Sequence, residues 1–187
     1  MPVTQITLLK GYAPADQARL VARVSDAVRS VIPAAESGTT TFVQEVSTYR
    51  RDAQIRSGGD GQPALPDALA VVQAYLEAMQ ARHLDAAQAH LAPGFVMVFP
   101  GGKTMTALAE LMDWARQRYQ RVSKSDVRWE QSWQGDTTVV YARGVLNGVW
   151  PDGQVFSAIR FIDRFEVHQG LIVRQEVWND LGEHRQA

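Results

Sequence analysis

The sequence predicts an α+β protein made of two unlike parts, a β-α-β unit followed by a curved antiparallel sheet wrapped around helices. Three observations carry this reading. Residues 3–47 show strand, helix and strand patterns in succession. A glycine- and proline-rich stretch, Ser57-Gly58-Gly59-Asp60-Gly61-Gln62-Pro63-Ala64-Leu65-Pro66, then interrupts all periodicity. Beyond it, helical spacing of three and four residues gives way after about residue 120 to alternation punctuated by turns. The expected organisation is therefore a first domain at 1–56, a linker at 57–66 and a second domain at 67–187.

In the first part, Val3 to Leu9 alternates and stops at Lys10-Gly11, as a short strand does. Pro14 suits a first helical position, and Leu20, Val21, Val24, Ala27, Val28 and Val31 recur at helical spacing until Pro33. The β-branched run from Thr39 predicts a second strand near 39–47. Two strands joined by one helix run parallel, and some 50 residues leave much apolar surface uncovered, so this unit is expected to form a homo-oligomer. In the second part, Asp67 to Ala81 reads as a helix with Leu69, Val72, Leu76 and Met79 on one face. A short helix at 84–91, a strand at 95–99 and a helix capped by Thr106 and carrying Leu108 to Tyr119 follow. Strands are expected near 126–133, 137–149, 154–168 and 171–179, the last three joined as hairpins. Such a sheet closing on the long helix encloses a pocket of the kind that holds small molecules.

Composition narrows the function. Of 187 residues 45% are hydrophobic, which supports a substantial core, and 19 basic against 20 acidic residues leave a net charge of −1. That balance offers no footprint for nucleic acid or an anionic membrane. The chain has no cysteine, which excludes disulfides, thiol nucleophiles and thiolate metal sites. No apolar run reaches the roughly 20 residues of a membrane span. The first residues, Met1-Pro2-Val3-Thr4-Gln5-Ile6, lack a basic and then apolar leader, so a cytoplasmic location is expected. The four histidines, at 83, 90, 168 and 184, show no metal-ligand spacing. No cofactor is expected.

Two candidate sites emerge. Pro2 becomes a secondary amine if Met1 is removed, and an α-amino group titrates near pH 8 or lower when desolvated, within reach of a neutral base. Otherwise Pro2 merely precedes a strand. Pro2-Val3-Thr4-Gln5-Ile6-Thr7-Leu8-Leu9-Lys10-Gly11, Leu20 to Val28, and Phe42-Val43-Gln44-Glu45-Val46 resemble the oxalocrotonate tautomerase family across residues 2–46. The resemblance implies an N-terminal proline acting as general base or acid in keto–enol tautomerisation, within hexamers or equivalent assemblies. Tyr12 and Thr40 stand where that family commonly has substrate-binding arginines, so the carboxylate clamp is missing unless Arg50 or Arg51 replaces it.

The second candidate is Asp163, which alternation places among Ile159, Phe161, Phe165 and Val167 on an apolar face. A carboxyl so enclosed has a raised pKa, suited to taking a proton or to donating a hydrogen bond to an enolate oxygen. The alternative is a structural pairing with Arg143 or Arg174. Val72-Gln73-Ala74-Tyr75-Leu76-Glu77-Ala78-Met79-Gln80-Ala81-Arg82-His83-Leu84-Asp85, together with Phe161-Ile162-Asp163 through Gly170-Leu171-Ile172, resembles the superfamily of nuclear transport factor 2, ketosteroid isomerase and SnoaL-like polyketide cyclases over 66–182. The resemblance implies a cone-shaped domain. Beside ketosteroid isomerase, Tyr75 matches the tyrosine of the oxyanion hole and Asp163 its protonated aspartic acid, while Phe99 occupies the place of the base. SnoaL-like cyclases use a late-strand aspartate as base, the position of Asp163. Tyr12, Phe99, Tyr119, Tyr141 and Trp178 are the expected substrate contacts. The expected activity is cofactor-independent proton transfer on a small carbonyl or enol compound, of tautomerase, isomerase or cyclase type. The competing expectation is a non-catalytic binder of a small hydrophobic ligand, in which the β-α-β unit serves only for assembly.

Overall fold

A computed structural model describes residues 1–185, and its contacts divide the chain into two units, Met1–Ala64 and Leu65–Ala187. In the first, β1 (Val3–Leu9) and β2 (Thr40–Val46) pair in parallel, Val3 opposite Thr40 through Leu9 opposite Val46. The helix α1 (Pro14–Arg29) connects them, with Pro14 in its first turn. Alternation half-buries Thr4, Ile6 and Leu8 and exposes Val3, Gln5 and Thr7. One helix over two strands covers too little: no residue of α1 is fully buried, and Val3 and Phe42 remain exposed.

Two features of this unit differ from the sequence expectation. After β2 comes a hairpin of β3 (Thr48–Arg51) and β4 (Gln54–Ser57), turned through Asp52 and Ala53 with φ of 49° and 60°. An Asp-Ala turn lacks the glycine that usually announces two left-handed residues, so the pattern gave no warning. Part of the stretch read as linker is also tied down. Gly58 donates its N–H to the Ser47 carbonyl at 2.9 Å, and Gln62 donates to the Gly11 carbonyl at 3.0 Å. A Cβ on Gly11 would lie 1.7 Å from the Gly59 carbonyl oxygen, so glycine here permits a close approach of two backbones.

The second unit contains α2 (Ala68–Gln80), α3 (Leu84–Gln88), β5 (Leu91–Phe99), β6 (Lys103–Met105), α4 (Leu108–Arg116), β7 (Arg121–Gln134), β8 (Thr137–Val149), β9 (Val155–His168), β10 (Leu171–Asn179) and α5 (Leu181–Arg185). Six strands form one sheet in the order β6-β5-β10-β9-β8-β7. The meander β7 to β10 is antiparallel as expected, but β10 returns beside β5 in parallel, so the sheet is mixed rather than wholly antiparallel. The first strand lies apart from the meander in sequence, so no hairpin turn fixes its direction against the last strand.

Bulges explain both the curvature and a misplaced boundary. β7 starts at Arg121, not near 126, because its register slips between Ser125 and Arg128 at Asp126, whose φ is 53°. The inward residues are Val122 and Lys124 before the bulge and Val127 and Trp129 after it. Parity switches, and a test for alternation registers only the second half. β9 slips likewise around Ala158, φ 59°. Asn147 on β8 serves both bulges: its Nδ2 donates to Ser125 Oγ at 2.9 Å and its Oδ1 accepts from the Ala158 N–H at 3.1 Å. Strands bent at such points curl the sheet over α2.

The face that α2 buries fully is Ala68, Val71, Val72 and Tyr75, rotated from the expected stripe. Leu69, Leu76 and Met79 pack partly buried beside it. Tyr75 meets Phe165 edge-on at 6.0 Å between ring centres. Ala107, not Thr106, precedes α4 as its cap residue, and Glu110 accepts the Thr106 N–H at 3.2 Å. Tyr119 lies past the end of α4. Among the described residues, no helix is long and apolar enough to cross a membrane.

Candidate functional site

A cavity of about 470 Å³ opens in the second unit, between α2, α4 and the concave face of the sheet. Its depths are formed by Tyr75, Phe161, Asp163 and Gln175, its walls by Phe99, Leu111, Met112 and Trp114, and its outer part includes Glu77, Arg82 and Tyr119. Apart from its polar depths the lining is chiefly apolar, as small-molecule sites usually are.

Asp163 is 1% exposed, and among the described residues it and Gln175 are the buried polar side chains of the core. β9 puts it inward between Phe161 and Phe165, with Ala142 of β8 and Val177 of β10 beside it. Lys124 on β7, two strands away, donates from Nζ to Asp163 Oδ2. It can reach because the intervening inward positions of β8 are Ala142 and Gly144, neither with a side chain larger than methyl. Its ammonium also lies 4.9 Å from the centre of the Phe161 ring, a cation–π contact. Burial pushes the Asp163 carboxyl above its ordinary pKa, and the charge and hydrogen bond of Lys124 pull it part of the way back.

This partner corrects the expected pairing with Arg143 or Arg174. Both arginines sit on the convex face, where Arg143 Nε binds Glu130 at 2.8 Å and Arg174 Nε binds Glu176 at 2.9 Å. The two residues matched to an oxyanion hole do share the cavity, yet they have different partners. Tyr75 donates its hydroxyl to Gln175 Oε1 at 3.2 Å, while Asp163 is held by Lys124. Burial, assisted by the Asp163 charge, raises the Tyr75 pKa and keeps the hydroxyl protonated.

The expected contact residues divide by parity and by unit. Phe99 lines the cavity edge-on to Trp114 at 5.1 Å, and Tyr119 lines it too, with its hydroxyl pKa raised by burial against the opposing charges of Arg82 and Arg118. Tyr141 falls on the convex face, opposite Arg164, to which it hydrogen-bonds. Trp178 faces the same way, opposite Ile162 and 51% exposed. Neither lines the cavity. Pro2 and Tyr12 belong to the first unit, at opposite ends of β1 and hence roughly 20 Å apart along the strand. The Pro2 carbonyl accepts the Thr40 N–H at 3.0 Å, and the Tyr12 carbonyl accepts from Gln17 Nε2 at 3.1 Å. Within one chain they do not share a site.

Sequence reasoning missed Lys124, Gln175, Arg82 and Trp114. Lys124 is hidden by the parity switch at the β7 bulge. Gln175 carried a readable signal, since it sits two residues before the inward Val177, just as Asp163 sits two from Phe161. Among the described residues no group of three or more His, Asp or Glu is placed to hold a metal ion.

Comparison with known proteins agrees with this architecture. A family model described as a SnoaL-like domain matches residues 72–175. Among solved structures, TerC co-crystallised with polyporic acid is 17% identical with a TM-score of 0.53, covering 63% of this chain and 95% of its own. A provisionally assigned polyketide cyclase from Xanthomonas campestris pv. campestris is 24% identical with a TM-score of 0.53, covering 63% and 93%. A protein from Burkholderia xenovorans LB400 described as like nuclear transport factor 2 is 17% identical with a TM-score of 0.53, covering 66% and 97%. At these identities the likeness is one of fold. A search among curated proteins found no match.

Proposed function

The chain belongs to the SnoaL-like domain family, and from that premise we propose that it is a cofactor-independent proton-transfer enzyme of isomerase or cyclase type, acting on a small carbonyl or enol compound. The observation that carries the proposal is Asp163: a carboxyl buried in the depths of an apolar cavity and held by one ammonium group. Burial makes it a stronger base than an exposed carboxylate, and Lys124 favours the ionised form that a base needs.

In the proposed step, Asp163 takes a proton from the carbon next to a substrate carbonyl. The C–H electron pair forms a C=C bond, and the carbonyl π pair moves onto oxygen. Lys124 Nζ donates to the enolate oxygen so formed. Return of the proton from Asp163 to another atom of the substrate completes an isomerisation. Attack of the enolate carbon on a second carbonyl of the same molecule closes a ring, with the proton passing to the new alkoxide. Neither route needs an oxidant or reductant. Phe99 stands where ketosteroid isomerase has its base and packs on Trp114, so Asp163 takes that role here. The provisional assignment of a fold neighbour as a polyketide cyclase, and the co-crystallisation of TerC with polyporic acid, support a cyclic or polyketide-like compound as ligand.

The test is deuterium incorporation into 2-tetralone, an aromatic ketone small enough for the cavity, followed by NMR in heavy water. Exchange beside the carbonyl should exceed that in buffer, and Asp163→Asn should lower it about 10²-fold or more. Exchange by the variant at the wild-type rate would refute the role of Asp163. The Lys124 contact itself favours a second reading, because an oxygen held in an ion pair is not free to accept a proton. A non-catalytic binder would take up 2-tetralone without exchanging its protons.

For the first unit the proposed role is assembly into a homo-oligomer, supported by the exposed Val3 and Phe42 on its sheet. Its tautomerase-like reading is supported by the parallel β1–β2 pair and adds a chemical role for Pro2. That role requires cleavage of the Met1–Pro2 bond, since an amide nitrogen is not a base. Intact-mass measurement before and after labelling of the terminal amine decides it. Retained Met1 removes Pro2 from the chemistry.

A further inference from the structure

Two arginines that the proton-transfer step does not use stand at the outer part of the cavity, Arg82 in its lining and Arg118 against the wall residue Trp114. Arg82 lines it from the turn after α2, with the residue held at φ 62°. Its Nη1 donates to Met112 Sδ at 2.9 Å, a thioether and thus a weak acceptor. Arg118, just past α4, stacks its guanidinium 4.5 Å over the ring of Trp114, itself a cavity wall. The Arg118 Nε is buried and has no hydrogen-bond partner among the described residues. Both guanidinium charges act on the hydroxyl of Tyr119, another lining residue.

Among the described residues neither arginine pairs with a carboxylate, whereas Arg116 pairs with Asp113 at 2.8 Å, Arg143 with Glu130, Arg160 with Asp180 at 2.6 Å, and Arg164 with Glu166 and Glu176; Arg121 and Arg128 are likewise unpaired but do not line the cavity. Glu77 is the acid of the cavity lining besides Asp163, yet it is exposed and forms no ion pair with Arg82 or Arg118 among the described residues. A buried donor without an acceptor is seldom left standing in a protein. A guanidinium held over an aromatic ring can still offer N–H groups to a planar anion.

We propose that Arg82 and Arg118 bind an anionic group of the ligand, a carboxylate or similar anion, at the outer part of the cavity while its apolar, carbonyl-bearing body reaches inward to Lys124 and Asp163. This rests on the reading of the cavity as the ligand site and adds the class of ligand: an acidic, largely apolar ring compound. Tyr119 supplies a further donor to the same anion, and Glu77 opposes it.

The experiment compares two fluorescent dyes that differ only in charge. 8-Anilinonaphthalene-1-sulfonate carries a sulfonate, and N-phenyl-1-naphthylamine is the same skeleton without it. The wild-type protein should bind the sulfonate dye at least tenfold more tightly at low ionic strength, and added salt should narrow the gap. The Arg82→Gln/Arg118→Gln double variant should lose that advantage, about tenfold or more, and keep its affinity for the neutral dye within about twofold. Because Arg118 also packs on Trp114, the single Arg82→Gln variant is measured in parallel and should lose several-fold for the anion alone. Equal binding of the two dyes by wild-type protein, or a double variant that binds the sulfonate dye as before, overturns the anion site. If the neutral dye still binds in that case, the cavity remains a ligand site and the proton-transfer reading stands. Entry of neither dye overturns both.

Discussion

Replacing Lys124 with methionine removes one charge from the cavity while keeping the length of the side chain and its apolar packing. Asp163 then faces its apolar neighbours without a cation. An opposite charge in contact favours the ionised carboxylate, and Lys124 supplies both a charge and a hydrogen bond that lower the Asp163 pKa. The sign follows from the chemistry: the base works ionised, so the exchange rate rises with pH through the Asp163 pKa. Without Lys124 that pKa climbs further, and the rising limb of the 2-tetralone exchange profile should move to the alkaline side. Lys124→Arg keeps the charge and should leave the limb in place. Stability gives an independent readout. The folded pKa of Asp163 lies above its ordinary 3.8, so its contribution is greatest below that value and is lost as pH rises through the folded pKa. The loss extends to higher pH in Lys124→Met, so urea unfolding should show the variant weaker than wild type near neutrality and the gap closing toward about pH 4. A limb that stays fixed or moves to the acid side, or a stability gap independent of pH, would refute the electrostatic role of Lys124.

Tyr75→Phe leaves Gln175 Oε1 buried without its donor and should cost about 1–3 kcal/mol in urea unfolding. Gly144→Ala puts a methyl carbon 2.6 Å from the Ser125 carbonyl oxygen and 3.0 Å from that of Asp126, so the β7 bulge must shift, at about 1–3 kcal/mol by the same assay.

Much of the architecture was legible because long amphipathic segments state their own period. The helix at 68–80, the strands at 137–149 and 171–179, and the inward position of Asp163 all follow from spacing alone. What escaped was whatever depends on a break in that spacing. The left-handed Asp126 switches the parity of β7 and thereby conceals Lys124, whose charge opposes the effect of burial on Asp163. Tyr141 and Trp178 fail as contacts for a related reason, since aromatic character marks a residue as able to bury area without saying on which face of the sheet it does so. The pairing of β10 with β5 was equally invisible, because no local pattern records which of two distant strands will lie side by side. For the first unit, the period of β1, α1 and β2 was clear, whereas the hairpin at 48–57 rests on two residues, Asp52 and Ala53, whose conformation their identities do not announce.

The arrangement around Asp163 makes little sense as stabilisation. Burying an ion pair sacrifices the hydration of both charges, and apolar side chains of the same size would fill the space at no such cost. The sheet nevertheless keeps Ala142 and Gly144 in the path between β7 and β9, leaves room for a lysine to cross two strands, and places the pair against an open cavity rather than inside closed packing. The convex face of the same strands carries a cluster of Arg164, Glu166, Glu176 and Arg174 whose carboxylates stay 28% and 22% exposed, against 1% for Asp163. One sheet thus handles carboxylates in two ways, partly hydrated on its outer face and desolvated on its inner one. The buried carboxylate is the one whose basicity burial raises, and under the proposed function that gain serves a ligand that enters the cavity with a proton to give.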